Sequence, residues 1–421
     1  MHKLKYLKYK SKYIRLKNMH IGAGSSDKYN DITKFINTVP FETILLELPK
    51  RLYDNITYCD KIIGKGMIGE VIESAVGKTI NVKINKTTIH MPVVIKKANI
   101  VGSFDMKIID DILYIYCYKD LTAEAIIMVY LSDLWQKKLS PHLPFMIGYS
   151  SCATDKKIII DKIITERQGF DQEINIDIVG LYTKPFAHPD PDYDPINPTY
   201  KSNFATLRDL FNYILMHEKD GKLLLPNGQK CNAVKLCDYL AIGYLHTCAI
   251  LAKHGITLLD MHLANIFVHW LNLNSYLGDK YIGDTKYIIY KLNDGSYLQI
   301  KTYGFILKMG DVGASIVQPR SDVYILGQAV DLHKTRHLIK QITEPSLAIG
   351  FLYYFKNILS YSLYQKTVIH QIISEYPYSE LALGKIPLEL IDIMEEPMDI
   401  LKKFSVYMVD KPNESVDTLI V

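Results

Sequence analysis

The sequence predicts an α+β protein, rich in strands through its first part and in helices through its second. Three observations carry that expectation. Between Lys61 and Glu166 the apolar residues gather in short β-branched stretches, one of them wrapped around a glycine cluster. Within that span, residues 121–139 (LTAEAIIMVYLSDLWQKKL) set Ile127, Leu131 and Leu134 at helical spacing. From about residue 205 onward helical patterns dominate, the longest being residues 234–255, VKLCDYLAIGYLHTCAILAKHG.

Composition agrees. A chain of 421 residues, 48% apolar and 22% charged, can bury a large core. At about 150 residues per domain that length suggests two or three lobes. An aromatic content of 11%, mostly from 31 tyrosines, excludes a wholly disordered chain. No apolar run approaches the roughly 20 residues that span a bilayer, so no transmembrane segment is expected. The first eighteen residues are too basic for a secretory leader. Cys59, Cys117, Cys152, Cys231, Cys237 and Cys248 are scattered without a Cys-x-x-Cys pair. They predict reduced thiols of an intracellular protein rather than disulfides or a zinc site.

Charge is unevenly placed. Residues 1–18 hold seven basic side chains (Lys3, Lys5, Lys8, Lys10, Lys12, Arg15, Lys17) and no acidic one, leaving 42 of the 49 basic residues against 45 acidic ones elsewhere. The body is near neutral, so specific nucleic-acid binding is not expected. Leu4, Leu7 and Ile14, with Tyr6, Tyr9 and Tyr13, recur at three- and four-residue steps. The arm, residues 1–26 with its GAGSS linker, thus predicts a short amphipathic helix, either solvated or set on an anionic surface. Its opening resembles the Tyr-Leu-Lys-Tyr-Lys starts of proteins from mimivirus-like giant DNA viruses.

Residues 61–74, KIIGKGMIGEVIES, read as strand–turn–strand with Gly64, Gly66 and Gly69 as G-x-G-x-x-G. Glycine lets backbone approach phosphate oxygens without a Cβ in the way. A dinucleotide fold would open a helix here, whereas the continuation stays strand-like. In the next strand, MPVVIKKA, Val94 and Lys96 share one face while Val93, Ile95 and Lys97 share the other. One lysine should point beneath the glycine loop and its neighbour into solvent. Glu124 falls in the first turn of the helix that follows, after Thr122, where it suits either the helix dipole or an ion pair with Lys96.

Residues 168–204 read as an insertion, with five prolines between Pro185 and Pro198. Asp190, Asp192 and Asp194 alternate there as in calcium loops, but the glycine and closing glutamate of such loops are missing. An extended surface loop is expected. ATLRDLFNYIL and the 234–255 helix then follow, with a turn at Pro226-Asn227-Gly228 between them and Gly255 as the stop.

Directly after stands ITLLDMHLANIFVHW, with Asp260 and Asn265 five apart and His262 between them. A carboxylate in such a loop can take a hydroxyl proton, and an amide oxygen can coordinate Mg²⁺. Asn293-Asp294-Gly295 marks a hairpin, and the strand FILKMG ends in Asp311-Val312-Gly313. SDVYILGQAV, containing Asp322, comes soon after.

Glycine loop, strand lysine, helix glutamate, Asp-x-x-x-x-Asn loop and Asp-x-Gly, in that order, resemble the eukaryotic-type protein-kinase superfamily over about residues 61–330. More narrowly the chain resembles divergent serine/threonine kinases of giant DNA viruses. The resemblance implies a bilobal fold. Its N-lobe, 27–167, would be β-rich with one helix; the helical C-lobe would be 205–421, with ATP held between them. The turn formed by Gly64, Lys65, Gly66, Met67, Ile68, Gly69, Glu70 and Val71 would cover the phosphates. Lys96, paired with Glu124, would touch the α/β-phosphates, and Glu166 would lie near adenine. Asp260 would be the catalytic base with His262 beside it, Asn265 and Asp311 would hold Mg²⁺, and Asp322 would brace the catalytic loop from a helix. Such an enzyme would act on a protein substrate, in a host cytoplasm or within a virion.

Departures from the pattern open two alternatives. Leu258-Leu259 replaces the His-Arg before the catalytic aspartate, so no arginine stands there to read an activation-segment phosphate. Val312 replaces the usual phenylalanine. Asp-x-His-x-x-Asn is similar to aminoglycoside- and choline-kinase-like phosphotransferases, which act on small molecules. Only ten residues separate Asp311 from Asp322, and no Ala-Pro-Glu follows. A pseudokinase acting as a binding scaffold is the second alternative.

Overall fold

The computed structural model describes residues 58–65, 69–74, 79–84, 87–98, 104–110, 112–117, 121–154, 157–166, 174–177, 199–202, 206–271, 275–320, 323–327, 344–357, 359–375, 396–412, 415 and 417–421. The basic arm, Gly66, Met67, Ile68, Asp190, Asp192, Asp194 and Asp322 lie outside the described residues. The chain is mixed α+β, with several small sheets and, among the described residues, seven α-helices.

Alternation of apolar residues dictates the first sheet. β1 (Tyr58–Lys65) and β2 (Gly69–Ser74) form the glycine hairpin, followed by β3 (Thr79–Ile84) and β4 (Thr87–Ala98). In β4, Ile89, Met91, Val93 and Ile95 are buried while Pro92, Val94 and Lys96 are half-exposed, the period of two that one covered face requires. A further hairpin, β5 (Phe104–Ile109) and β6 (Ile112–Cys117), leads into helix α1 (Thr122–Gln136). Then come β7 (Met146–Thr154) and β8 (Lys157–Glu166). The strand order is β1–β2–β4–β8–β7, with β3 also on β4. The residue before α1, Leu121, offers no side-chain cap. Burial holds the helix in place instead: Ala125, Ile126, Ile127, Val129, Leu131 and Trp135 have essentially no exposed surface.

The insertion contributes an antiparallel pair, β9 (Ile174–Asp177) with β10 (Thr199–Ser202). Helix α2 (Leu207–His217) opens on a capping box between Thr206 and Asp209. The hairpin β11 (Lys222–Leu224) and β12 (Lys230–Asn232) turns at Gly228, whose φ of +80° favours glycine. Asn232 caps α3 (Ala233–Lys253) by accepting from the Lys235 amide at 3.1 Å. By length and apolarity α3 alone among the described helices could cross a membrane, but 83% of that stretch is buried inside the fold. It is packed as a core helix. Cys231, Cys237 and Cys248 are buried and form no disulfide.

After α3 run β13 (Ile256–Leu258), β14 (Ile266–Trp270), β15 (Tyr276–Leu277), β16 (Lys280–Tyr281), β17 (Tyr287–Lys291), β18 (Tyr297–Lys301) and β19 (Phe305–Met309). β17 and β18 pair around the expected Asn293-Asp294-Gly295 turn. β14 and β19 pair with Ile266 opposite Met309, which sets Asn265 beside the approach to Asp311. His142 fastens these strands to the first half of the chain. Its Nδ1 lies 2.9 Å from the Leu307 carbonyl oxygen and its Nε2 2.8 Å from the Tyr290 hydroxyl.

One expectation is overturned here. The described part of SDVYILGQAV, residues 323–327, is not helical: β20 (Ser315–Arg320) and β21 (Val323–Leu326) are strands of a sheet ordered β13–β20–β21–β6–β5. Val-Tyr-Ile-Leu is a short, continuous apolar run with strong β-propensity, and β6 supplies a parallel partner for it. The chain ends with α4 (Glu344–Leu352), α5 (Tyr361–Tyr364), α6 (Val368–Ser374) and α7 (Pro397–Lys402). β22 (Met408–Val409) and β23 (Thr418–Ile420) complete the β17–β18 sheet. A single hydrophobic cluster extends from Ile84 to Leu419 and joins these elements.

Candidate functional site

Strand register puts Lys96 beside the glycine hairpin. Val71 of β2 and Ile163 of β8 lie directly opposite Lys96, and Thr165 lies opposite Val94. Cross-strand partners share a face, so Val71, Val94 and Thr165, all half-buried, surround the lysine on one side of the sheet. Lys97 points the other way and is exposed. Gly64 and Val71 pair across the hairpin, as do Lys65 and Glu70, with Gly69 opposite Ala98.

The Lys96 ammonium is shared by two carboxylates far apart in sequence. Its Nζ donates to Glu124 Oε1 at 2.8 Å and Oε2 at 2.9 Å, and to Asp311 Oδ1 at 2.9 Å. The Lys96 and Glu124 side chains are 19% and 6% exposed, against 55% for Asp311. Burial disfavours the lysine's charge, but the two carboxylates outweigh that and lift its pKa above the ordinary value. Burial also pushes Glu124 upward, with Lys96 opposing the shift.

Asp311 sits at the end of a strained step. It has φ 44° and ψ 56°, a left-handed conformation that costs a non-glycine residue about 1–3 kcal/mol. The Gly310 amide before it donates to the Asn265 carbonyl at 2.8 Å, and Val312 after it is buried in the core. Asn265 in turn holds the Asp260 turn: its Nδ2 donates to the Asp260 carbonyl at 2.7 Å and approaches Asp260 Oδ2 at 3.5 Å. His262 accepts the Ala264 amide on Nδ1 at 3.2 Å, which leaves Nε2 to carry a proton; that atom lies 3.9 Å from Asp260 Oδ1. One continuous chain of contacts therefore links Glu124, Lys96, Asp311, Gly310, Asn265 and Asp260.

The donor set suits a hard cation. With the Asn265 Nδ2 committed to Asp260, its Oδ1 is the end available to a metal, and Asp311 keeps Oδ2 beyond the lysine contact. An amide oxygen of the buried Asn265 and a carboxylate oxygen of the exposed Asp311 are ligand types that suit Mg²⁺, which retains waters and binds through few protein ligands. Among the described residues no cluster of three or more His, Cys, Asp or Glu side chains could form a metal cage.

Glu166 is placed differently from the expectation. It lies opposite Val93, on the buried face, and its side chain is 5% exposed. Oε1 accepts from Lys308 Nζ at 2.8 Å and from the Phe145 amide at 3.1 Å. The residue turned toward the Lys96 side is Thr165, one position earlier. The Glu166 backbone amide donates to the Phe145 carbonyl at 3.0 Å. Lys308 was not singled out in the sequence, although a lysine inside the wholly buried strand FILKM signals a buried partner.

Behind the Asp260 turn a small apolar cavity is bounded by Leu251, Leu258, Met261 and Met309. It has no charged lining and lies apart from Lys96. Compared with known proteins, the sequence matches no family model and no curated protein.

Proposed function

We propose that the chain is an ATP- and Mg²⁺-dependent phosphotransferase of the protein-kinase type, acting on serine and threonine hydroxyls of proteins. The observation that carries this reading is the Lys96 ammonium held jointly by Glu124 and Asp311. Lys308, the interior lysine, has a single carboxylate partner, Glu166. A lysine aimed by a buried glutamate next to a metal-type aspartate suits a nucleotide phosphate. The glycine hairpin in the neighbouring strands, and the half-buried Val71, Val94 and Thr165 around the lysine, support this reading as surroundings suited to phosphates and a flat base. The described elements accord with the two-lobed arrangement, a strand-rich part with α1 and a helix-rich part around α3.

In this reading Asp260, half-exposed at the turn, accepts the proton of the attacking hydroxyl as its oxygen bonds to the γ-phosphorus and the bond to the ADP oxygen breaks. Asn265 fixes the turn so that the carboxylate is presented before substrate arrives. Mg²⁺, when bound by Asn265 and Asp311, supplies charge neutralisation on the phosphates. Lys96 holds the same phosphates from the sheet side.

A second reading, transfer to a small hydroxyl compound, is favoured by one observation. β20 pairs with β13 and β21, and β21 pairs with β20 and β6. Both edges of each strand are taken, so an extended peptide cannot add to the short segment after Asp311. A protein substrate must dock elsewhere.

Transfer from labelled Mg-ATP to the chain itself and to generic acidic and basic proteins, with Asp260→Asn alongside, tests the proposal. Label on serine or threonine that disappears in the variant supports it. ATP consumption only when small hydroxyl compounds are added moves the assignment to the second reading. Silence throughout sinks both and leaves the binding scaffold.

A further inference from the structure

The segment after Asp311 is short and has no arginine to anchor it, yet it is held from three sides. Leu258 and Leu259, which stand before Asp260, point to opposite sides of their strand's path. Leu258 joins the main core. Leu259 packs against a separate cluster made by Tyr114, Ile316 and Leu326, together with Ile112 and Tyr324. Register accounts for this cluster: Ile316 lies opposite Leu326, and Tyr324 opposite Tyr114. The two tyrosine rings stack, with centroids 5.6 Å apart and planes 14° from parallel. On the other face Ile256, Val317, Val323 and Ile325 belong to the main core.

Backbone contacts tighten the same arrangement. The Leu259 amide donates to the Ala314 carbonyl at 3.3 Å, and the Gly327 amide donates to the Ser315 carbonyl at 2.7 Å. A Cβ on Gly327 would come within 2.0 Å of the Gly313 carbonyl oxygen. The turn bearing Asp311 is thus pressed from below by the end of β21. Meanwhile β6, which lies between β21 and β5 in this sheet, directly precedes α1 and Glu124 in element order.

We infer that the β5–β6 hairpin is a built-in activating strap: through the Tyr114–Tyr324 stack and the Leu259–Ile316–Leu326 contacts it holds residues 311–320 and 323–327 in their working position, so that no phosphorylation of that segment is needed. This rests on the phosphotransferase reading above. Leu259, Tyr114 and Tyr324 are positioning residues, acting on Asp260 and Asp311 through the strands between them. Apolar contact replaces an arginine–phosphate contact, so the assembled state is permanent rather than switched.

The experiment uses the full chain, dephosphorylated and checked by mass spectrometry, as wild type, Tyr324→Ala, Tyr324→Phe, Tyr114→Ala and the double alanine variant. Each is measured for kcat, for KM toward Mg-ATP and for amide hydrogen exchange. Dephosphorylated wild type is expected to keep its activity. Tyr324→Ala is expected to lose about tenfold or more in kcat with KM for Mg-ATP little changed, because a misplaced carboxylate costs rate rather than nucleotide affinity. Tyr324→Phe keeps the stack and the rate. Amides of residues 311–318 should exchange faster in Tyr324→Ala while those of α3 do not change. Tyr114→Ala should match it, and the double variant should be no worse than either. Activity lost on dephosphorylation, or exchange at 311–318 unaltered in both alanine variants, overturns the strap. If wild type transfers no phosphate in any state, the phosphotransferase reading fails, and the exchange result still decides whether the strap holds the segment.

Discussion

Two lysine–glutamate pairs of equal length stand a few strands apart, and their chemistry is opposite. Lys96–Glu124 and Lys308–Glu166 both measure 2.8 Å. The Lys308 ammonium is 1% exposed, also donates to the Leu143 carbonyl at 3.1 Å and lies 5.7 Å from the Trp135 ring centre. Burial dominates there and pulls the pKa of Lys308 below the ordinary lysine value, despite Glu166. Lys96 has the second carboxylate and an opening toward solvent, and its pKa goes up. The interior pair holds strands β8 and β19 together. The outer one holds a positive charge where an anion can reach it.

That contrast can be broken in order of effect. Asp260→Asn and Lys96→Met should each cut phosphate transfer by about 10²–10⁴-fold, measured by label incorporation. Asp260→Asn should leave the urea midpoint nearly unchanged, because its side chain is 54% exposed. Lys308→Met strands the Glu166 carboxylate in the core and should cost about 3–5 kcal/mol in urea unfolding. Adding Glu166→Leu should recover most of that loss if the pair is only structural.

Acid should expose a further set of buried groups. Burial lowers His142 to about 4, and His246 and His269 to about 3. The folded state keeps them neutral, while the unfolded chain protonates them below about pH 6.5. Stability should therefore be full above pH 6.5 and fall as pH drops from there toward 4 and 3, by roughly 2 kcal/mol per histidine at pH 5. Urea midpoints between pH 8 and 5 check this, and a flat profile contradicts it. The smallest change belongs to Lys97→Met. As an exposed neighbour of Lys96 it should shift stability by no more than about 0.5 kcal/mol and leave transfer untouched.

Local signals were the legible ones. That Lys96 and Lys97 face opposite ways follows from strand alternation, the choice of Lys96 comes from the resemblance, and the β17–β18 hairpin follows from its Asn-Asp-Gly turn. The 234–255 helix could be read from its length and its glycine stop. What the sequence concealed depends on partners far along the chain. Glu166 and Thr165 could not be told apart because the register of β8 is set by β4 and by two irregularities in its pairing with β7. Val323–Leu326 became a strand because β6, about two hundred residues earlier, lies alongside it. Leu259 looked like a mere loss of arginine until its apolar neighbours were in place.

The most direct test is a calorimetric titration of Mg-ATP into wild type, Lys96→Met and Lys97→Met. Saturable, Mg²⁺-dependent binding by wild type and Lys97→Met that collapses in Lys96→Met is the expected result. Equal binding by all three, or none by wild type, would contradict the assignment of this lysine as the phosphate anchor.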